Sequence, residues 1–209
     1  MSDPIAEAAD AALAGGLIVL PTDTVYGIGT RPDDADATAR LFEAKGRPRD
    51  LELPVLVASV MQARDVATFD ERAETLSGRF WPGALSLVLP RAELSRDWAL
   101  GEDRETVAVR MPHHPLVLAV LARTGPLAVT SANRSGAATP GTCEGLRAVF
   151  GDLVEVYLCA EEPLGDVPST VVDLTGSQPR VLRAGAVTGT ELDDALPRGD
   201  AGLWAGGPR

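Results

Sequence analysis

Short apolar runs alternate along the whole chain with segments that carry helix signatures, and this interleaving limits the fold more than any other feature. The runs are LIVL (Leu17 to Leu20), PVLVAS (Pro54 to Ser59), ALSLVLP (Ala84 to Pro90), TVAVRMP (Thr106 to Pro112) and LAVT (Leu127 to Thr130). Leu153 to Leu158, Thr170 to Leu174 and Arg180 to Arg183 add further strand candidates. Between them stand helices with readable ends. Asp3 is placed to cap the first, Pro4 fits its first position, and Gly15-Gly16 suit its stop. A second, Asp34 to Ala44, carries Ala37, Leu41 and Ala44 at helical spacing and stops at Gly46. Met61 to Phe80 reads as one or two amphipathic helices closed by Trp81-Pro82-Gly83, and PLVLAVLARTG as a helix from Pro115 to Gly125. The pattern predicts an α/β protein with a mixed sheet. The charged stretch between ALSLVLP and TVAVRMP is expected to be a mobile loop.

A chain of 209 residues suits one large domain or one domain with a small appendage; the domain is placed at 1–196, with the Gly- and Pro-rich segment 197–209 as a flexible tail. No apolar run approaches the ~20 residues of a membrane span. The opening MSDPIAEAAD is acidic and lacks the basic start of a signal peptide, so a cytoplasmic protein without a membrane partner is expected. Formal net charge is −11, which argues against a broad nucleic-acid-binding face. Basic residues gathered in a few loops of so acidic a chain point to a small anionic ligand. Cys143 and Cys159 lack CxxC spacing, and the only histidines are His113 and His114. Two buried thiols are therefore expected, with no metal site.

Polar loops follow the apolar elements at PTDTVYG, KGRPRD (Lys45 to Asp50) and TSANRSG (Thr130 to Gly136). Open α/β sheets bind ligands where such loops converge. In KGRPRD, Pro48 pushes Arg47 toward an extended conformation, in which residues two apart share a side. Lys45 and Arg47 would then offer an ammonium and a guanidinium fork to one phosphate-bearing ligand. A solvated cationic turn at a helix end is the other reading. Ser131 and Asn133 are likewise two apart and suit phosphate oxygens or a ribose. A serine nucleophile would need a base nearby, and no G-x-S-x-G elbow is present. Arg110 ends a buried strand and needs a counter-anion, from either a structural carboxylate or a substrate. Asp23 either organises a local Asx-turn or takes part in a site. Gly27 and Gly29 read as turn-forming. Neither a P-loop nor a G-x-G-x-x-G fingerprint occurs.

Taken in order, PTDTVYGIG, KGRPRD, WPGALSLVLP, VRMPHHP, LAVTSANRSG, PSTVVDL and the late RAG resemble the YrdC-like family of threonylcarbamoyladenylate synthases. The resemblance runs from about Gly15 to Thr188 and is to the single-domain type. It implies a twisted, mixed, largely parallel sheet with flanking helices around a cationic concave cavity. It also implies a reaction in which L-threonine, bicarbonate and ATP give threonylcarbamoyl-AMP and pyrophosphate, with Mg²⁺ arriving on ATP. Partner proteins would pass the threonylcarbamoyl group to the adenosine beside the tRNA anticodon; direct tRNA contact is not required. Carried over by position, the catalytic set falls on Lys45, Arg47, Ser131 and Asn133. Threonine contacts fall on Thr24, Arg110, Val129 and Ser169, and nucleotide contacts on Arg47, Thr106, Ser131, Thr139 and Arg183. Family members often have histidine near Ala58, Leu51-Glu52 departs from the usual residues, and Thr139 stands where serine is common. A related YciO-like subgroup lacks the S-x-N pair that is present here as Ser131-Ala132-Asn133. The rival function is an RNA-binding module of the same fold.

Overall fold

The structure, a computed structural model, describes residues 3–161, 164 and 167–196. The tail 197–209 lies outside the described residues. Helix α1 (Pro4–Leu13) begins as its sequence dictates, with the Asp3 carboxylate accepting from the Ile5 N–H. Strands β1 (Ile18–Leu20) and β2 (Gly27–Thr30) follow, then α2 (Ala35–Lys45). The α2 helix is capped by Asp34 and closed by Gly46 in the left-handed region, at φ 61°. Next come β3 (Val55–Leu56), α3 (Val60–Val66), α4 (Glu71–Phe80), β4 (Leu85–Pro90), β5 (Thr106–Arg110), α5 (Pro115–Thr124) and β6 (Leu127–Ser131). The described chain closes with α6 (Cys143–Phe150), β7 (Val156–Tyr157), β8 (Thr170–Asp173), β9 (Arg180–Arg183) and α7 (Gly189–Ala195).

The strands form one nine-stranded sheet in the order β7-β1-β2-β6-β3-β5-β4-β8-β9. Ladders β1–β7, β3–β5 and β4–β8 are parallel. Ladders β1–β2, β2–β6, β3–β6, β4–β5 and β8–β9 are antiparallel. The sheet is mixed, as expected, with more antiparallel pairing than the family resemblance implies. Connections without a crossover helix, such as 21–26 between β1 and β2, can join only antiparallel neighbours.

Alternation along the strands divides the core. Ile18, Leu20, Leu127 and Val129 pack with Ala8 and Ala12 of α1 and with Val117, Val120 and Leu121 of α5. Val19 and Ala128 turn the other way, into a cluster with Leu41 and Phe42 of α2, Leu76 of α4 and Leu146 of α6. No helix among the described residues is long and apolar enough to cross a membrane.

The structure departs from several sequence expectations. Gly27 and Gly29 form no turn; they lie in β2, pressed against β6. A Cβ on Gly29 would sit 2.5 Å from the Ala128 carbonyl oxygen, so close backbone approach is what requires glycine here. The charged stretch before β5 is held by buried Arg91. Its guanidinium donates to the carbonyls of Ser95, Trp98, Asp103 and Thr106. Cys143 and Cys159 are joined as a disulfide, with a Cα–Cα separation of 6.0 Å. The pairing arises because the start of α6 folds against the segment after β7, a proximity that CxxC spacing cannot reveal.

Candidate active site

A cavity of about 710 Å³ opens over the middle of the sheet. Gly27, Ser86, Ala108, Val129 and Val171 contribute to its lining. They come from β2, β4, β5, β6 and β8, and they are small or short side chains that leave space above the strands. Loops 22–26, 47–54 and 131–141 supply the walls.

Arg47, Arg110 and Arg183 all face this hollow. Arg47 follows the αL turn at Gly46 and is anchored by donating from Nε to the Leu51 carbonyl and from Nη2 to the Glu52 carbonyl, each at 2.9 Å. Arg183, at the end of β9, donates from Nε and Nη2 to the Ser169 carbonyl and from Nη2 to the Ser169 hydroxyl at 2.9 Å. Burial lowers the pKa of all three, and the charge of Arg183 lowers Arg47 and Arg110 further. The three guanidinium groups thus share one field. Among the described residues neither Arg47 nor Arg183 has a carboxylate within ion-pair distance, so the hollow is disposed to take an anion.

Arg110 is different. Its Nη2 donates to the Asp23 carboxylate at 2.6 Å, Nη1 to the Thr24 hydroxyl at 3.0 Å, and Nε to the Gly83 carbonyl at 2.9 Å. The counter-anion that a buried strand-end arginine requires is therefore built into the chain. Asp23 is a partner to Arg110, not the centre of an Asx-turn. Thr22 reinforces the arrangement, its hydroxyl lying 3.0 Å from that of Thr24.

Lys45 does not line the hollow with Arg47 as the extended reading of KGRPRD expects. It remains the last residue of α2, and the αL geometry of Gly46 breaks the alternation. Its Nζ crosses to the turn after β6, donating to the carbonyls of Ser131 at 2.5 Å and Asn133 at 2.8 Å and to Asn133 Oδ1 at 3.3 Å. The Lys45 carbonyl accepts from the Ser135 N–H at 2.8 Å, which ties the same turn a second time. Only 2% of Lys45 is exposed, and burial, with help from Arg47, pulls its pKa from 10.5 to about 8.

Ser131 and Asn133 both reach the cavity. The Ser131 hydroxyl donates to Asn133 Oδ1 at 2.6 Å, and Asn133 Nδ2 donates to the Arg134 and Ala137 carbonyls. Both amide hydrogens of Asn133 are spent inside the loop, so it shapes the wall instead of offering donors. Thr24, Val129, Thr139 and Ser169 also line the cavity. Thr106 does not: it lies at the start of β5, and its hydroxyl is given to the Asp103 carboxylate.

Ser86, absent from the expected site residues, lines the hollow with its hydroxyl 3.0 Å from that of Ser169. Its signal was a lone hydroxyl within the apolar run ALSLVLP. Lys45 carried a stronger signal, because of the chain's 19 basic side chains it is the only lysine. Among the described residues no three carboxylate, histidine or cysteine groups converge as a cation cage.

Residues 10–185 match the family model Sua5_yciO_yrdC, described as telomere recombination. A putative threonylcarbamoyl-AMP synthase of Mycobacterium tuberculosis is 45% identical over 201 residues, covering 96% of this chain and 92% of that one. The crystal structure of P. abyssi Sua5 complexed with L-threonine superposes with a TM-score of 0.88 at 37% identity, over 96% of this chain. This chain spans only 59% of that protein. Crystalline E. coli YciO gives a TM-score of 0.82 at 27% identity, over 90% of this chain and 92% of its own.

Proposed function

We propose that this chain, which belongs to the Sua5/YciO/YrdC family, makes threonylcarbamoyl-AMP and pyrophosphate from L-threonine, bicarbonate and ATP. The observation that carries this reading is the meeting of Arg47, Arg110 and Arg183 with the hydroxyls of Thr24, Ser131, Thr139 and Ser169 in one hollow of an otherwise acidic molecule.

The amine of threonine forms a C–N bond to the bicarbonate carbon, and water leaves. A carbamate oxygen then bonds to the α-phosphorus as the bond to the bridging pyrophosphate oxygen breaks. Neither step needs a covalent enzyme intermediate, in keeping with a Ser131 whose hydroxyl partner is an amide oxygen and not a base. Negative charge builds at the α-phosphoryl group and the leaving pyrophosphate. Fixed guanidinium groups in a partly desolvated hollow stabilise such a transition state. Arg47 and Arg183 are assigned to the phosphates. Arg110 takes the threonine carboxylate, with Thr24 and Ser169 beside it. Lys45 acts through the turn it holds, fixing Ser131 and Asn133 and adding positive charge behind them. Thr106 is given no contact with nucleotide.

Arginine, hydroxyl and amide groups suit phosphate better than a bare cation. Among the described residues Glu52 is the one lining carboxylate, and it is engaged by the Asp103 N–H at 2.8 Å. The lining groups would therefore hold Mg²⁺ only through a bound triphosphate and not as direct ligands. When bound it would neutralise phosphate charge. A product of this kind would serve tRNA modification through transfer proteins, a role that suits a cytoplasmic chain. No observation favours the RNA-binding alternative, since the clustered arginines point into a hollow of small-molecule size.

The purified chain with ATP, Mg²⁺, L-threonine and bicarbonate should release pyrophosphate, and omitting threonine or bicarbonate should stop it. Release that ignores both would sink the assignment.

A further inference from the structure

Asp23 touches Arg110 from outside the substrate hollow. It lines a second cavity of about 680 Å³, together with His114, Leu158 and Glu161, whereas Arg110 lines the first. Thr22 borders both. The wall between the cavities is therefore thin at this point, and the Asp23–Arg110 pair spans it.

Resting on the reading that Arg110 takes the threonine carboxylate, we propose that Asp23 is the positioning residue for amino-acid recognition. Its carboxylate reaches Arg110 from behind and fixes the plane of the guanidinium. Three observations support this. Arg110 is 6% exposed, and among the described residues Asp23 is the carboxylate in ion-pair contact with it. A buried arginine without such a partner is costly and turns to find one. Second, Asp23 Oδ1 is itself held, accepting from the His113 N–H at 2.9 Å, so the anchor cannot swing away. Third, the protein takes one N–H from each of Nε, Nη1 and Nη2 of Arg110. A guanidinium has about five N–H donors, so one remains on each Nη nitrogen, a pair that can grip a carboxylate bidentately. Asp23 thereby selects the orientation that presents those donors without meeting the substrate itself.

The test compares the full chain with Asp23→Ala and Asp23→Asn. Asp23→Ala should raise the KM for threonine about tenfold or more, while kcat changes less than about threefold and the KM for ATP stays put, the signature of lost ground-state binding. Asp23→Asn keeps an oxygen acceptor for Arg110 and His113 and should recover part of that loss. A KM for threonine unchanged in either variant overturns the proposal, as does a parallel decline in kcat and both KM values. Should Asp23→Ala fail to fold, Asp23→Asn decides by the same criteria. A further readout needs no substrate. The Nη–H resonances of Arg110 should be resolved and slow to exchange in the native chain, because Asp23 holds Nη2, and averaged in Asp23→Ala; their persistence in Asp23→Ala would mean that Asp23 does not fix the guanidinium. Native turnover that ignored threonine would remove the parent reading and leave this second measurement to judge the positioning role.

Discussion

Lys45 reaches from the last turn of α2 to the loop after β6 and donates to the Asn133 carbonyl at 2.8 Å, across 88 positions of sequence. The lysine expected to stand over a ligand instead braces the wall against which the ligand would lie.

Lys45→Met should therefore damage activity through the turn. It removes the donor of Ser131 O, Asn133 O and Asn133 Oδ1 in a buried slot. Leaving buried acceptors unpaired costs about 1–3 kcal/mol each. Pyrophosphate release should fall at least about tenfold. Lys45→Arg should not rescue it, because a planar guanidinium does not fit a slot shaped for a compact ammonium. Steady-state rates and thermal midpoints of both variants check this.

Because Lys45 is the only lysine, its Cε resonance in a ¹³C-labelled sample is a single probe. Its titration should centre near pH 8 in the folded chain and near 10.5 in denaturant. The sign for stability follows. Between those values the unfolded chain holds the extra proton, so stability rises with pH across this window. The cost of burying the ammonium is fully present below pH 8 and relieved toward 10.5. A folded midpoint at the ordinary lysine value would contradict the buried placement.

Arg183→Ala should weaken nucleotide binding most, since its fork is assigned to the phosphates in the shared hollow, and threonine binding to a lesser degree through Ser169, which it grips. The expected rise in the KM for ATP is about 10- to 100-fold, the loss of a charged hydrogen-bonding group. Arg183→Lys should recover little of it.

Gly29→Ala tests the β2–β6 contact. The added methyl would meet the Ala128 carbonyl oxygen at 2.5 Å and the Val129 side chain at 2.6 Å, so the ladder must part. Denaturant unfolding should show a loss of about 1–3 kcal/mol. An equal midpoint would mean that the two strands are not so close.

Reducing the Cys143–Cys159 bridge reopens a loop of sequence separation 16, which should cost about 3 kcal/mol. Unfolding with and without a dithiol measures it, and a chain carrying both Cys143→Ser and Cys159→Ser should ignore the reductant.

Features that rest on neighbouring residues were readable in the sequence. The cap Asp3, the start of the second helix about Asp34 and its stop at Gly46 rest on a few positions and stand where expected. The missed helix α7 was announced in the same way, by the capping box of Thr188 and Glu191. What needed a distant partner was hidden. The glycines of β2 look like a turn until Ala128 lies against them. Asp23 looks like a local cap until Arg110, 87 positions away, arrives beside it. The motif residues Arg47, Ser131 and Asn133 do share one hollow, while Lys45 was misplaced because extended alternation was applied to a residue that stays helical.

With its single lysine folded inward, the outer surface offers strongly basic side chains only as guanidinium. Primary amines are nucleophiles that attack activated acyl compounds, and a mixed anhydride such as a carbamoyl adenylate is one of these. Beyond its amino terminus, the folded protein shows such a compound no amine to acylate.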